Sequence, residues 1–160
     1  MKKWLMGLLL ACGLLLAFFV AGLGRNPQEL PSVLTGRDLP ALAIKRPAGY
    51  FLLNVWGSWC AQCHQEHAFL MELSREIPIV GLNWAADNPR EGEEGRQFLA
   101  RAGNPYREII WQRDDLITDL GVYGAPETFL IGPTGKILKR YAGPLDRPRW
   151  QAEFQPLLER

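Results

Sequence analysis

The apolar run Tyr50-Phe51-Leu52-Leu53-Asn54-Val55-Trp56 leads almost directly into Cys60-Ala61-Gln62-Cys63, and no other stretch constrains the chain as much. The run lacks the polar–apolar alternation of a half-exposed strand, so it predicts a strand buried on both faces of a sheet. A strand that passes straight into Cys-x-x-Cys places the first cysteine at the start of a helix. There, free backbone N–H groups and the helix dipole stabilise a thiolate. Two thiols with two residues between them can also close a small disulfide ring. This is what thiol–disulfide exchange needs. The spacing alone also serves zinc binding and haem attachment; the strand-to-helix placement favours the redox reading.

The chain after this point alternates elements. The helix opened by Cys60 should carry Phe69, Leu70, Leu73 and Ile77 inward and end near Pro78. Ile79–Trp84 reads as a second central strand. Asn88-Pro89 predicts an N-cap with proline at the first helical position, and Glu91, Glu93 and Glu94 follow where the dipole favours acids. Phe98, Leu99 and Ala102 form that helix's apolar face, and Gly103-Asn104-Pro105 stops it. Ile109-Ile110-Trp111 predicts a short strand and Asp114–Leu120 a short helix closed by Gly121. Thr128–Ile131 and Lys136–Tyr141 alternate around Gly132-Pro133-Thr134-Gly135 as a hairpin. Asp146 caps a final helix that turns Trp150, Phe154 and Leu157 inward and kinks near Pro156. The expected order is β-α-β-α-β-α-β-β-α. Trp56, Trp84 and Trp111 read as core.

Met1-Lys2-Lys3 precedes an uncharged run of 21 residues, Trp4 to Gly24. As a helix it is long enough to cross the roughly 30 Å of a bilayer core. A cleaved secretory signal has a shorter apolar core of about 7–15 residues and a small-x-small cleavage site. The run exceeds that, and Ala21-Gly22-Leu23-Gly24 is a poor cleavage site, so an uncleaved anchor over 1–24 is expected. Leu9-Leu10-Ala11-Cys12 has the look of a lipoprotein box, but the apolar run continues past it, and Cys12 is read as membrane-embedded. Lys2 and Lys3 hold the N-terminus in the cytoplasm and put the rest outside. Residues 25–49, with Pro27, Pro31, Gly36, Pro40, Pro47 and Gly49, read as a tether with at most a short extended piece at Leu39–Ile44. Residues 50–160 form the folded domain. Without Lys2 and Lys3 the chain has 16 basic residues against 17 acidic, near −1, which gives no basis for nucleic-acid binding. Cys60 and Cys63 are the only cysteines outside the anchor.

The strand, the Trp-Cys-x-x-Cys helix start and a hairpin preceded by Gly-x-Pro resemble the thioredoxin fold, a central mixed sheet flanked by helices. Asn54-Val55-Trp56-Gly57-Ser58-Trp59-Cys60, Gly103-Asn104-Pro105-Tyr106 and Gly121-Val122-Tyr123-Gly124-Ala125-Pro126-Glu127-Thr128-Phe129-Leu130-Ile131 narrow this further. They resemble the membrane-anchored, periplasmic thioredoxins of cytochrome c maturation, the CcmG/DsbE family, from about Tyr50 to the C-terminus. The Pro-Glu-Thr after Gly-Ala is the most specific element. The resemblance implies that Cys60 is an exposed nucleophile, Cys63 the resolving thiol, and the two form the redox disulfide. It implies a cis Ala125–Pro126 bond opposite the disulfide, with the Ala125 backbone free to pair with substrate. Glu66 and Glu127 match the family's acidic active-site residues. Their negative charge should destabilise the thiolate and make the protein a reductant. The implied substrate is apocytochrome c, directly or through a CcmH-type thiol protein. Recharging is by a membrane electron donor of the DsbD kind, the setting is the bacterial inner membrane with the domain in the periplasm, and no bound cofactor is implied.

Two features depart from the pattern. Asn54 stands where thioredoxins usually carry a buried Asp that handles the resolving thiol's proton. Asn cannot do this, which leaves Glu66 as the candidate. The segment between anchor and active site is also shorter than the family's, without much of its extra N-terminal hairpin. Other readings stand beside the reductant. One is a general periplasmic oxidant or isomerase. Another is a haem c or metal carrier built on Cys60, Cys63 and His64, since Cys60-Ala61-Gln62-Cys63-His64 has the form of a haem-attachment motif. With His67 these residues make one stripe of a helix. That stripe runs about 10 Å along the axis, too long for all four to close round one ion with bonds of about 2.0–2.3 Å. His64 is otherwise a first-turn residue able to modulate Cys60, and Trp59 is expected to shield the disulfide.

Overall fold

The computed structural model describes residues 34–158. The expected membrane anchor, Cys12 and the first part of the tether lie outside them. Among the described residues no helix is long and apolar enough to cross a membrane.

Strand β1 (Phe51–Trp56) is the middle strand, and all six of its residues are buried. It pairs in parallel with β2 (Ile79–Asn83) and antiparallel with β4 (Glu127–Ile131). β3 (Glu108–Trp111) adds in parallel beyond β2, and β5 (Ile137–Ala142) antiparallel beyond β4, giving the order β3-β2-β1-β4-β5. A parallel pair requires a crossover, and α1 (Ala61–Leu73) supplies it between β1 and β2. Helix α2 (Glu91–Ala102) joins β2 to β3, and α3 (Asp114–Asp119) joins β3 to β4.

Successive residues of β1 feed opposite faces. Leu52 and Trp56 pack with Leu70 and Leu73 of α1, Leu99 of α2, and Trp150 and Phe154 near the C-terminus. Phe51, Leu53 and Val55 pack with Leu116 and Ile117 of α3 and with Phe129 and Ile131 of β4. This two-sided cover explains the unbroken apolar run. Each such side chain contributes about 1.5–3 kcal/mol on full burial. The architecture is the mixed sheet flanked by helices of the thioredoxin fold, in the expected element order.

Several local expectations change. From Leu34 onward the segment before β1 is not a loose tether. Gly36 N–H donates to the Ile137 carbonyl at 2.7 Å, Leu39 N–H to that of Gly135 at 2.9 Å, and Asp38 bridges Lys136. Leu34, Leu39, Leu42 and Ile44 cover the second apolar face, although Leu39–Ile44 forms no strand. Helix α2 starts at Glu91 rather than after Asn88. The Asn88 Oδ1 accepts from Arg90 N–H at 3.1 Å, and Asn88-Pro89-Arg90 forms a turn instead of the first helical turn. Trp84, Trp111 and Phe69 are only half-buried. Trp111 lies under the Arg96 guanidinium and Phe69 under that of Arg147. After its Asp146 cap the last helix has only three α residues, Arg147–Arg149 (α4), then widens into a π turn over Trp150–Phe154 and tightens to 3-10 over Gln155–Leu157. Pro156 lacks an N–H and its ring crowds the carbonyl of Ala152, so the regular ladder cannot pass through it.

Candidate active site

Cys60 follows a three-residue loop at the end of β1 and is the N-cap of α1, with extended backbone angles. Its Sγ accepts from the Cys63 N–H at 3.1 Å and is disulfide-bonded to Cys63. A sulfur at this position faces the free N–H groups and positive dipole end of a thirteen-residue helix, the setting that stabilises a thiolate. The expected exposure of Cys60 is not found: it keeps 4% of its surface and Cys63 5%. The N-cap position turns the Cys60 sulfur back over the helix start instead of outward. It is position at the helix terminus, not exposure, that distinguishes the two thiols.

Because β4 runs antiparallel to β1 with Glu127 opposite Val55, the chain just before β4 lies at the Cys60 end of the sheet. The Ala125–Pro126 bond there is cis. Trp59 and Tyr123, 43% and 77% exposed, are the large apolar side chains most open to solvent among the described residues. Both belong to segments at this end. Trp59 is held by its indole N–H to the Trp84 carbonyl at 2.9 Å and meets the Trp84 ring edge-on. The ring folds back so far that a Cβ on Gly57 would sit 2.4 Å from its Nε1, so a side chain there would displace the ring.

Beneath the disulfide lies a buried polar layer. Glu66, one turn beyond Cys63 on the same buried face of α1, accepts from the Leu145 N–H at 2.7 Å and from Asn54 Nδ2 at 2.9 Å. Asn54 Nδ2 also donates to Thr128 Oγ1 at 3.0 Å, and Asn54 Oδ1 accepts from the Tyr106 hydroxyl at 2.9 Å. Burial pushes the Glu66 carboxyl up to about 7, against the opposing pull of those two donors. Burial, with the nearby Glu66 charge, also raises Tyr106 well above the usual phenol range and keeps it a donor. The layer suits a carboxyl that changes protonation. When Glu66 is ionised, Asn54 donates to it. When Glu66 carries a proton, a half-turn of the Asn54 amide lets Oδ1 accept from Glu66 and from the Thr128 hydroxyl, while Nδ2 donates to the Tyr106 oxygen. An aspartate at position 54 could not make that exchange, having no N–H groups to present.

Glu127 is fully buried at the start of β4 and ion-paired with Arg140 of β5, its diagonal neighbour across the strand pair. Burial raises its carboxyl, and Arg140 partly offsets this. Arg140 also donates to the Gly121 carbonyl at 2.8 Å and lies over the Tyr123 and Phe129 rings, so one guanidinium ties down the whole 121–129 segment. The negative charge expected of Glu66 and Glu127 is thus moderated by their surroundings. One carboxylate is matched by Arg140, and the other is partly protonated at neutral pH.

An Arg140→Ala variant should lose roughly 3 kcal/mol at pH 8, because it strands a buried carboxylate. The loss should shrink as pH falls, because burial raises the Glu127 carboxyl and it takes up a proton more readily. Urea denaturation of Arg140→Ala and of the Arg140→Ala/Glu127→Gln pair checks this; the double variant should recover more than half of the loss at pH 8.

The histidines do not join the cysteines. His64 Nε2 lies 2.9 Å from the Ser58 carbonyl, and its ring stacks on Phe98. His67 is buried, with Nε2 3.3 Å and 3.2 Å from the Ala102 and Gly103 carbonyls, and burial lowers its pKa. A nitrogen facing a carbonyl oxygen carries its proton there. Among the described residues no group of three or more His, Cys, Asp or Glu is placed to hold a metal ion.

Sequence reasoning missed Tyr106 and Thr128 as partners of the polar layer and Arg140 as the partner of Glu127, and it gave Glu91 no part in the site. Read only as an acid that the helix dipole favours, Glu91 is fully buried, and its carboxylate accepts from Ser58 and Asn83. A signal existed. Gly92 and Gly95 sit one and four residues later in the same helix, and glycines inside a helix mark close packing.

The comparisons with known proteins agree with this geometry. The Redoxin family model matches residues 34–155. The chain is similar to the "Probable thiol:disulfide interchange protein DsbE-2" of Pasteurella multocida, at 44% identity over 93% of this chain and 82% of that protein. It is also similar to the thiol:disulfide interchange protein DsbE of Escherichia coli, at 37% identity over 86% and 80%. Among solved structures, the thioredoxin domain of a thiol-disulfide oxidoreductase from Bacteroides vulgatus shares the fold, with a TM-score of 0.61 at 19% identity over 79% of this chain and 99% of that one.

Proposed function

The chain belongs to the Redoxin family and, within it, to the DsbE thiol:disulfide interchange proteins, and from that premise we propose that it works as a periplasmic reductant. The oxidoreductase chemistry itself follows from the family and the Cys60–Cys63 pair. The proposed finer role is to keep the haem-binding cysteines of apocytochrome c reduced, directly or through a CcmH-type thiol partner. The domain would be held at the inner membrane by the uncharged run Trp4 to Gly24.

In the cycle, the Cys60 thiolate attacks one sulfur of the substrate disulfide, forming a mixed disulfide and releasing the first substrate thiolate. Cys63 gives up its proton to Glu66 and attacks the Cys60 sulfur. The Cys60–Cys63 disulfide re-forms and the second substrate sulfur leaves as a thiolate; it takes the proton held by Glu66, and the first takes one from water. The substrate gains two electrons and two protons, and a membrane donor of the DsbD kind would restore the dithiol.

The observation that carries this reading is Glu66, buried one turn beyond Cys63 with its carboxyl pushed up to about 7. A group near that value can take the resolving thiol's proton at neutral pH. Trp59 and Tyr123 offer exposed aromatic surface to an extended peptide at the same end. The oxidant reading has one observation of its own, the Cys63 N–H directed at the Cys60 sulfur, which favours thiolate.

To test the substrate, the reduced protein is mixed with an oxidised Cys-x-x-Cys-His peptide and with an unrelated disulfide peptide of equal length. The haem-attachment peptide should be reduced at least tenfold faster. Equal rates would contradict a dedicated cytochrome role while leaving the oxidoreductase activity in place.

A further inference from the structure

We propose that Glu91 is a positioning residue for the nucleophile: through Ser58 it fixes the loop that delivers Cys60. Glu91 is the first residue of α2, where a glutamate would ordinarily face water, yet it has no exposed surface. Its Oε1 accepts from the Ser58 N–H at 2.7 Å and from Asn83 Nδ2 at 2.7 Å, and its Oε2 from the Ser58 hydroxyl at 2.6 Å. A buried carboxyl is costly unless hydrogen-bonded, and here both oxygens have donors, two of them from Ser58. Here the room for it is made by Gly95, where an added Cβ would lie 3.2 Å from Oε1 and 3.2 Å from Trp56.

The loop it holds is Gly57-Ser58-Trp59. Its two ends are secured by backbone: Trp84 N–H donates to the Trp56 carbonyl at 2.9 Å, and Cys60 N–H to that of Gly57 at 3.2 Å. The Ser58 N–H between them is held by the Glu91 side chain. Asn83, buried at the end of β2 and in register with Trp56, completes the tie from sheet to helix to loop. In the oxidised protein the disulfide also restrains Cys60. In the dithiol that restraint is gone, and the sulfur's aim depends on the loop. Glu91 therefore acts on the reduced form, at the moment of attack. This inference rests on the disulfide-exchange activity and is independent of which protein is the substrate.

Geometry and charge can be separated. Glutamine at position 91 can accept from Ser58 N–H and Asn83 with its oxygen and donate to the Ser58 hydroxyl, which accepts as readily as it gives. Aspartate keeps the charge but withdraws the carboxylate by one methylene. The experiment follows attack of the fully reduced Cys12→Ser chain on 5,5′-dithiobis(2-nitrobenzoate) by stopped flow, at a temperature where each variant is folded by circular dichroism. A small probe is used so that peptide docking does not enter. Glu91→Gln should stay within threefold of the parent rate, while Glu91→Asp and Glu91→Ala should slow tenfold or more. The proposal is overturned if Glu91→Asp outpaces Glu91→Gln, which would make charge the operative property. It is equally overturned if all three react at the parent rate. Should Glu91→Ala not fold, the order of the Asp and Gln variants still decides.

Discussion

A Cys63→Ala variant, reduced and offered a protein or peptide disulfide, should accumulate as a covalent adduct through Cys60, whereas Cys60→Ala should exchange at no more than about a thousandth of the parent rate. Only the thiolate is a nucleophile, and only Cys60 sits at the N-cap of α1 with a backbone N–H on its sulfur. Cys63 lies inside the first turn, so once the mixed disulfide has formed it is the thiol placed to release it. Removing it should stop the cycle halfway. A Cys12→Ser background leaves Cys60 and Cys63 as the only cysteines, and non-reducing electrophoresis with mass spectrometry reads the adduct. Equal adduct yields from both variants would mean the two thiols are interchangeable, against the geometry of the helix start.

The second large effect concerns Glu66. Its carboxyl is raised from the ordinary 4.5 to about 7, because burial disfavours the ion. The sign follows directly. Between about pH 4.5 and 7 the folded chain holds a proton that the unfolded chain has lost, so stability falls as pH rises through that window. By pH 8 the ionised group costs the fold roughly 3 kcal/mol. Glu66→Gln can use the turned Asn54 amide and should abolish that slope, being the more stable protein at pH 8 and nearly equal to the parent at pH 4. Its kinetics should move the other way. The base form of Glu66 takes the Cys63 proton, so release of the mixed disulfide should rise with pH through about 7 in the parent. In Glu66→Gln that inflection should vanish, and release at pH 7 should fall by about a hundredfold, within the usual range for a positioned base. Urea midpoints across pH and stopped-flow release rates are the two measurements. A variant stabilised at pH 8 with parent-like release would make Glu66 a buried carboxyl without a part in the chemistry.

What was legible in the chain and what was not divides on physical grounds. The six buried residues of β1 announce themselves through an unbroken apolar run, and the Cys-x-x-Cys after it marks both a helix start and its chemistry. The hairpin, the order of elements and the Asp146 cap likewise depend on neighbours in sequence. The polar layer does not. Asn54, Glu66, Tyr106 and Thr128 come from three strands' surroundings and a helix, and nothing periodic links them. Arg140 reads as an exposed strand cation until β4 and β5 are paired and bring it to Glu127. The burial of Glu91 was not legible, because a helix N-terminus explains an acid there without burial, and only the packing of Gly95 against Trp56 draws that helix end inward. The exposure expected of Cys60 failed for a local reason, the N-cap turn that folds its sulfur toward Cys63.

The central claim is the direction of electron flow, and the equilibrium reduction potential of the Cys60–Cys63 pair tests it most directly. The Cys12→Ser chain is equilibrated in glutathione buffers, quenched, and its thiols are labelled. A value between about −270 and −200 mV is expected, the range from thioredoxin to glutaredoxin, where the dithiol gives electrons away and needs recharging. A value near −120 mV, that of a strong oxidant with a stabilised thiolate, would contradict it. In that case the helix N-terminus would outweigh the buried Glu66 beside the pair, and the protein would make disulfides instead of breaking them.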